Sequence, residues 1–222
     1  MRQEVINIYT FDELSDAAKK VAVENWRDAR AADNWHETEM ITEDFCTRLR
    51  EAGLPGGNGK KANDKTGTVE WSLSNCQGDG VAFYGPIDLD VAVPLACDGE
   101  TAKRFAEIRA SLHDICLIDI YAKITRTSYG HHYSHWNTMC VELDYDYVSN
   151  DELRTAGWND QVESFQEFID DIRDSLQTYV ANFSKELESD GYDTIDAMND
   201  DEYLIEDIRA CEVEFTEDGS IH

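Results

Sequence analysis

The chain has 222 residues, 41% of them apolar, with 10 Tyr, eight Phe and five Trp. That is enough to build a packed core and too aromatic for a disordered polymer. Its 47 acids against 19 Lys and Arg give a formal charge of −28, which disfavours nucleic acid and anionic membrane as direct partners.

No run of about 18 apolar residues offers a membrane span. Met1 to Thr10 lacks the basic, apolar and cleavage parts of a signal peptide, so the chain is expected to stay in the cytosol. Ile6 to Tyr9 reads as a short strand. Thr10-Phe11-Asp12-Glu13 has capping-box spacing, and a helix follows to about Arg30 with Leu14, Ala18, Val21, Ala22 and Trp26 as its buried stripe. A second helix, about His36 to Ala52, turns Met40, Ile41, Phe45 and Leu49 inward and stops at Gly53. The two helices predict a hairpin. Leu54 to Gly67 holds Pro55, four glycines, Lys60, Lys61 and Lys65, and predicts an exposed, mobile loop without Walker spacing.

Val69, Trp71 and Leu73 alternate with polar residues, as a half-buried strand requires. Gly78-Asp79-Gly80 turns the chain, Val81 to Tyr84 returns, and Ile87, Leu89, Val91 and Val93 extend the sheet with Asp88 and Asp90 on its wet face. A helix is predicted from about Glu100 to Leu112. Strands at Cys116–Arg126 and Asn137–Val148 come next, the second with Met139, Val141, Leu143, Tyr145 and Tyr147 on one face. A loop from Ser128 to His135 joins them.

From Asn159 to about Ser189, Val162, Phe165, Ile169, Ile172, Leu176, Tyr179, Phe183 and Leu187 recur at helical spacing. A shorter acidic helix, about Ile195 to Ala210, and a strand at Cys211–Phe215 close the chain. The predicted class is α+β, a mostly antiparallel sheet flanked by an N-terminal helical hairpin and long acidic C-terminal helices. One domain, 1–222, is expected, with natural subdivisions at 1–53, 68–148 and 149–222.

Val141 to His222 carries 25 acids against four cations, a net −21. Asp160, Glu163, Glu167, Asp170, Asp171 and Asp174 run beside the apolar stripe of the long helix. Acids three or four apart on a helix stand roughly 5–6 Å apart, against one phosphate per about 3.4 Å of axis along a DNA strand. Such a row can present anions to a protein built to grip a nucleic-acid backbone. It can also be simply a solvated face.

His131, His132 and His135 lie close together, and Asp79 sits in the Gln77–Gly80 turn. Three imidazoles and a carboxylate suffice for a transition metal. On a hairpin tip, however, His131 and His135 share a side and His132 does not. The alternative is that these rings pack over the end of the sheet. No nucleophile signature, EF-hand loop or nucleotide motif is present, so neither catalytic residues nor a cofactor are assigned. With no secretory signal, the six cysteines are expected to be reduced, and mostly buried as small hydrophobes.

Four segments carry a resemblance: Ile8 to Ser15, Cys76 to Gly85, Gly130 to His135 and Glu214 to Gly219. Together, in this order, they resemble a family of largely uncharacterised phage and prophage accessory proteins, loosely labelled antitoxin-like. The resemblance implies a viral protein acting in the bacterial cytoplasm and transfers no catalytic residue. The leading expectation is an acidic inhibitor of a bacterial defence system, of anti-CRISPR or anti-restriction type. It would occupy a basic nucleic-acid-binding groove on its target through Asp160, Glu163, Glu167, Asp170, Asp171 and Asp174. The alternatives are a metal-dependent enzyme using Asp79, His131 and His135, and an antitoxin-like binding protein.

Overall fold

The computed structural model describes residues 7–32, 35–58, 66–110, 117–127, 133–147 and 159–222. At 35, 36, 117, 118, 147 and 159–163 it describes the backbone alone. The class is the expected α+β, with helices, a four-stranded antiparallel sheet and a two-stranded one. The chain divides into a terminal unit, Met1–Ile41 with Gly191–His222, and a central unit, Thr42–Asp190.

In the terminal unit, β1 (Tyr9–Thr10) pairs antiparallel with β6 (Glu214–Phe215), Tyr9 opposite Phe215. The capping box is real but serves a three-residue 3-10 turn, Phe11–Glu13. There the Glu13 carboxylate accepts from the Thr10 amide at 2.8 Å and its hydroxyl at 2.9 Å. The helix proper, α1 (Asp16–Ala32), starts later, where Ser15 Oγ accepts from the Ala18 amide. Phe11, Leu14, Ala18, Ala22, Val23, Leu204, Ile208 and Phe215 form the core, with Phe11 edge-on to Phe215 at 6.4 Å. Val21, expected in the stripe, is exposed. Gly219, at φ +90°, passes so close to α1 that a Cβ would lie 2.3 Å from the Ala18 carbonyl oxygen.

The central unit is built on the sheet β2 (Thr68–Ser72), β3 (Gly80–Ile87), β4 (Leu117–Arg126) and β5 (Met139–Tyr147), in that spatial order. Alternation holds along β4 and the start of β5. Ile120, Ala122, Ile124, Met139 and Val141 are buried, while Tyr121 and Glu142 between them are exposed. Ile169, Ile172, Leu176, Val180 and Leu187 of the long helix α5 (Asn159–Met198) are buried too. α5 also covers the free edge of β5. The Gln177 side-chain amide accepts from the Val141 N–H at 2.8 Å and donates to the Met139 carbonyl at 3.2 Å, as a neighbouring strand would.

Three predicted elements differ. Leu89 to Val93 is not strand but helix α3 (Leu89–Ala96), because Asp88 accepts from the Asp90 amide as an N-cap and Leu89, Ala92 and Val93 fall on one buried helical face. Pro94 would also have broken a ladder there. Leu54 to Gly57 is buried rather than an exposed loop. Gly57 accepts from the Val69 amide, and a Cβ on it would lie 2.0 Å from the Gly67 carbonyl oxygen, so these glycines let backbones touch. The lysines 60, 61 and 65 lie outside the described residues. Finally, α5 continues to Met198 because Gly191 and Met198 prolong its buried stripe, and α6 (Asp201–Ala210) starts only after Asp200 caps it. Helices α2 (Trp35–Glu51) and α4 (Gly99–Ala110) are close to expectation, although Met40 is half-exposed instead of buried.

Among the cysteines, Cys46 is buried, Cys97 half-buried, and Cys76, Cys140 and Cys211 are exposed, all as free thiols. Cys140 points outward on β5 between buried Met139 and Val141, whereas Cys76 lies in the polar turn between Asn75 and Gln77 and Cys211 just past the end of α6.

Candidate acidic interface

Helix α5 carries 11 acids and two cations. At about 100° per residue, Asp160, Glu163, Glu167, Asp170, Asp171 and Asp174 fall within roughly 100° of arc, opposite the buried residues. Glu167, Asp171 and Asp174 are exposed and Asp170 partly so. The side chains of Asp160 and Glu163 lie outside the described residues.

The counter-charge is larger than the sequence suggested. Arg173 Nη1 donates to Asp170 at 2.6 Å and Nη2 to Asp174 at 3.0 Å. Further along the same helix, Arg48 of α2 reaches Glu186 at 2.8 Å and Asp190 at 2.7 Å. The second helix cation, Lys185, stands over the Trp136 ring at 4.2 Å. The anionic face is therefore not continuous along α5. Glu167 and Asp171 make no ion pair among the described residues.

The sequence reading missed a second row. Glu142, Asp144 and Asp146 alternate along β5 and are exposed. Tyr121, Lys123, Glu142, Asp144 and Arg173 line one cleft of about 440 Å³, so the strand row meets α5 there through Arg173, the partner of Asp170 and Asp174. In that cleft Glu142 and Asp144 stand beside Lys123 and Arg173, Lys123 pairing with Glu142 at 2.9 Å. The charges of Asp146 and Asp144 push the Tyr121 phenol above its ordinary value, because a phenolate would sit among like charges. Hydrogen bonds from Lys123 and Thr125 hold the Glu142 carboxyl below its ordinary value. Strict alternation on an antiparallel strand is the available signal, since residues between core positions must face water.

The other candidates are placed differently. Asp79 is buried, accepting from the Ser74 and Cys76 amides at 2.6 and 2.8 Å and from the Ser72 hydroxyl at 2.7 Å. Its carboxylate ties the turn together. Nδ1 of His135 lies 2.7 Å from the Asn137 side-chain oxygen, at the start of a 3-10 turn. His131 and His132 lie outside the described residues. Among the described residues no three His, Cys, Asp or Glu side chains are grouped to hold a metal.

Among their described residues, the four resemblance motifs come together in two pairs. The first and fourth pair as β1 and β6. The second meets the third where the Tyr133 ring lies so close to Gly78 that a Cβ would stand 1.9 Å from it. Compared with known protein families, curated proteins and solved structures, the chain matches none. No helix among the described residues is long and apolar enough to cross a membrane.

Proposed function

We propose that this chain is a non-catalytic binding protein that offers the α5 and β5 carboxylates to the basic, nucleic-acid-gripping groove of a bacterial defence protein, as an acidic phage inhibitor would. The observation that supports this reading is the cleft where Glu142 and Asp144 of β5 meet Arg173 of α5, which itself pairs with Asp170 and Asp174 of the helix row. A helix and a strand hold these anions at fixed spacing, so the backbone needs no ordering when a cationic groove closes on them and only side-chain freedom is lost. Single-sign patches of this kind raise association rates and weaken as salt screens them over roughly 8 Å.

The test is affinity capture from a bacterial host lysate at low and high salt, followed by binding measurements with the captured protein. Reversing Glu167, Asp171 and Asp174 to Lys weakens binding on the order of tenfold or more. A partner whose affinity ignores both the reversals and the salt overturns the reading. Identifying the partner as a nucleic-acid-binding effector or a basic toxin separates defence inhibition from antitoxin action.

A further inference from the structure

The terminal unit holds a groove of about 550 Å³ that the acidic face does not use. Its walls come from α1, the start of α2, the end of α5 and α6. Trp26, Met40, Met198 and Tyr203 supply the apolar lining, and Arg30, Glu37 and Asp207 the polar side.

Helical periodicity assigned Met40 to the core, yet it is 50% exposed, and Tyr203 is 40% exposed. The polar side is rigid. Trp26 Nε1 donates to Asp207 at 2.8 Å, and Arg30 donates to both Glu37 and Asp207 at 2.8 Å. The Arg30 guanidinium stands 5.2 Å from the Tyr203 ring. One guanidinium therefore serves two carboxylates, and the groove keeps a net negative charge. Helix α6, which forms one wall, exposes Glu202 and Glu206 besides, and its cap Asp200 is exposed too.

Flexible thioethers beside two aromatic rings make a surface that adapts to a long apolar side chain. The surrounding acids favour cations on either side of it. A second copy of this chain, carrying the same −28, would set like charge against like.

We propose that this groove docks a basic segment of a partner protein, taking one long apolar side chain between Met40, Met198 and Tyr203 while neighbouring lysines or arginines face the surplus carboxylate charge. The groove shares no residue with the α5–β5 face, so either surface can fail alone.

The probes are a synthetic amphipathic helix of Lys and Leu and an all-Lys peptide of equal charge, titrated into the full chain by calorimetry at physiological salt. Burying one Leu side chain gives the mixed peptide an advantage of about tenfold or more. Met40→Ser with Tyr203→Ser removes that advantage, and circular dichroism checks that this surface variant still folds. Reversing Glu167 and Asp171 to Lys leaves the advantage intact. Equal affinity for the two peptides overturns the proposal, as does an advantage that survives the double variant or disappears with the α5 reversals. Sedimentation of the chain alone showing a dimer that the double variant abolishes would assign the groove to self-association and overturn it as well.

Discussion

The terminal unit and the α5–β5 face spend their acids in opposite ways. In the terminal unit carboxylates join segments distant in sequence. Arg27 bridges Glu24 and Asp201, Arg30 bridges Glu37 and Asp207, and Arg209 of α6 meets Asp12 in the 3-10 turn. On α5, Arg173 reaches only Asp170 and Asp174 of its own helix. On β5, Lys123 joins Glu142 across one strand pair. An acid that ties two segments is structural, whereas one that faces water beside its own kind is available to a partner. Formal charge alone does not distinguish the two uses.

The comparison makes predictions that descend in size. Phe215→Ala removes a fully buried ring that packs on Phe11 and destabilises the terminal unit by about 3–5 kcal/mol. Hydrogen exchange checks whether protection is lost on α1 and α6 while β3 and β4 keep theirs. Loss everywhere would mean that the two units unfold as one. Arg30→Met leaves Glu37 and Asp207 without their guanidinium and costs about 1–3 kcal/mol in chemical denaturation. Gln177→Ala strips the partner from the β5 edge at Met139 and Val141, for about 1–2 kcal/mol. Glu167→Lys, by contrast, moves stability by no more than about 0.5 kcal/mol, since nothing described pairs with it. A cost like that of Arg30→Met would make the helix row structural too.

The smallest effect is a titration. Glu142 is held below its ordinary value of 4.5 in the folded chain, so its ion pair stabilises above that unfolded value. The contribution is lost as pH falls through the lower folded value. Carbon-detected NMR titration should place the Glu142 midpoint below 4.5 and the Tyr121 phenol above 10.0. A Tyr121 midpoint at or below its ordinary value would remove the evidence for a dense negative field at the cleft.

Much of the architecture was legible because helices and strands bury different periods. The α5 stripe from Phe165 to Leu187 and the β5 alternation from Met139 to Tyr145 could each satisfy one geometry only. Leu89 to Val93 could satisfy both, being short and apolar, and the Asp88 cap decided it. The glycines at 56 and 57 looked like loop punctuation, but they mark where Cys46, Gly67 and their own backbone approach within contact. Met40 fitted the helical stripe of α2, but spacing does not say whether a facing element reaches far enough to cover it. The candidate site was half visible. Its helix row follows from local spacing, while Glu142, Asp144 and Asp146 belong to it only because α5 lies beside β5.

From the residues alone came the class of fold, the long amphipathic helix, the excess of acid in the last third and the arc on which the α5 carboxylates stand. These depend on near neighbours in the chain and on total charge. Which acids are tied and which are displayed was decided only by tertiary packing. That outcome depends on where Arg27, Arg30, Arg48 and Arg173 end up relative to carboxylates as far as 177 positions away, and a charge pair weakens with distance in space whatever the separation in sequence.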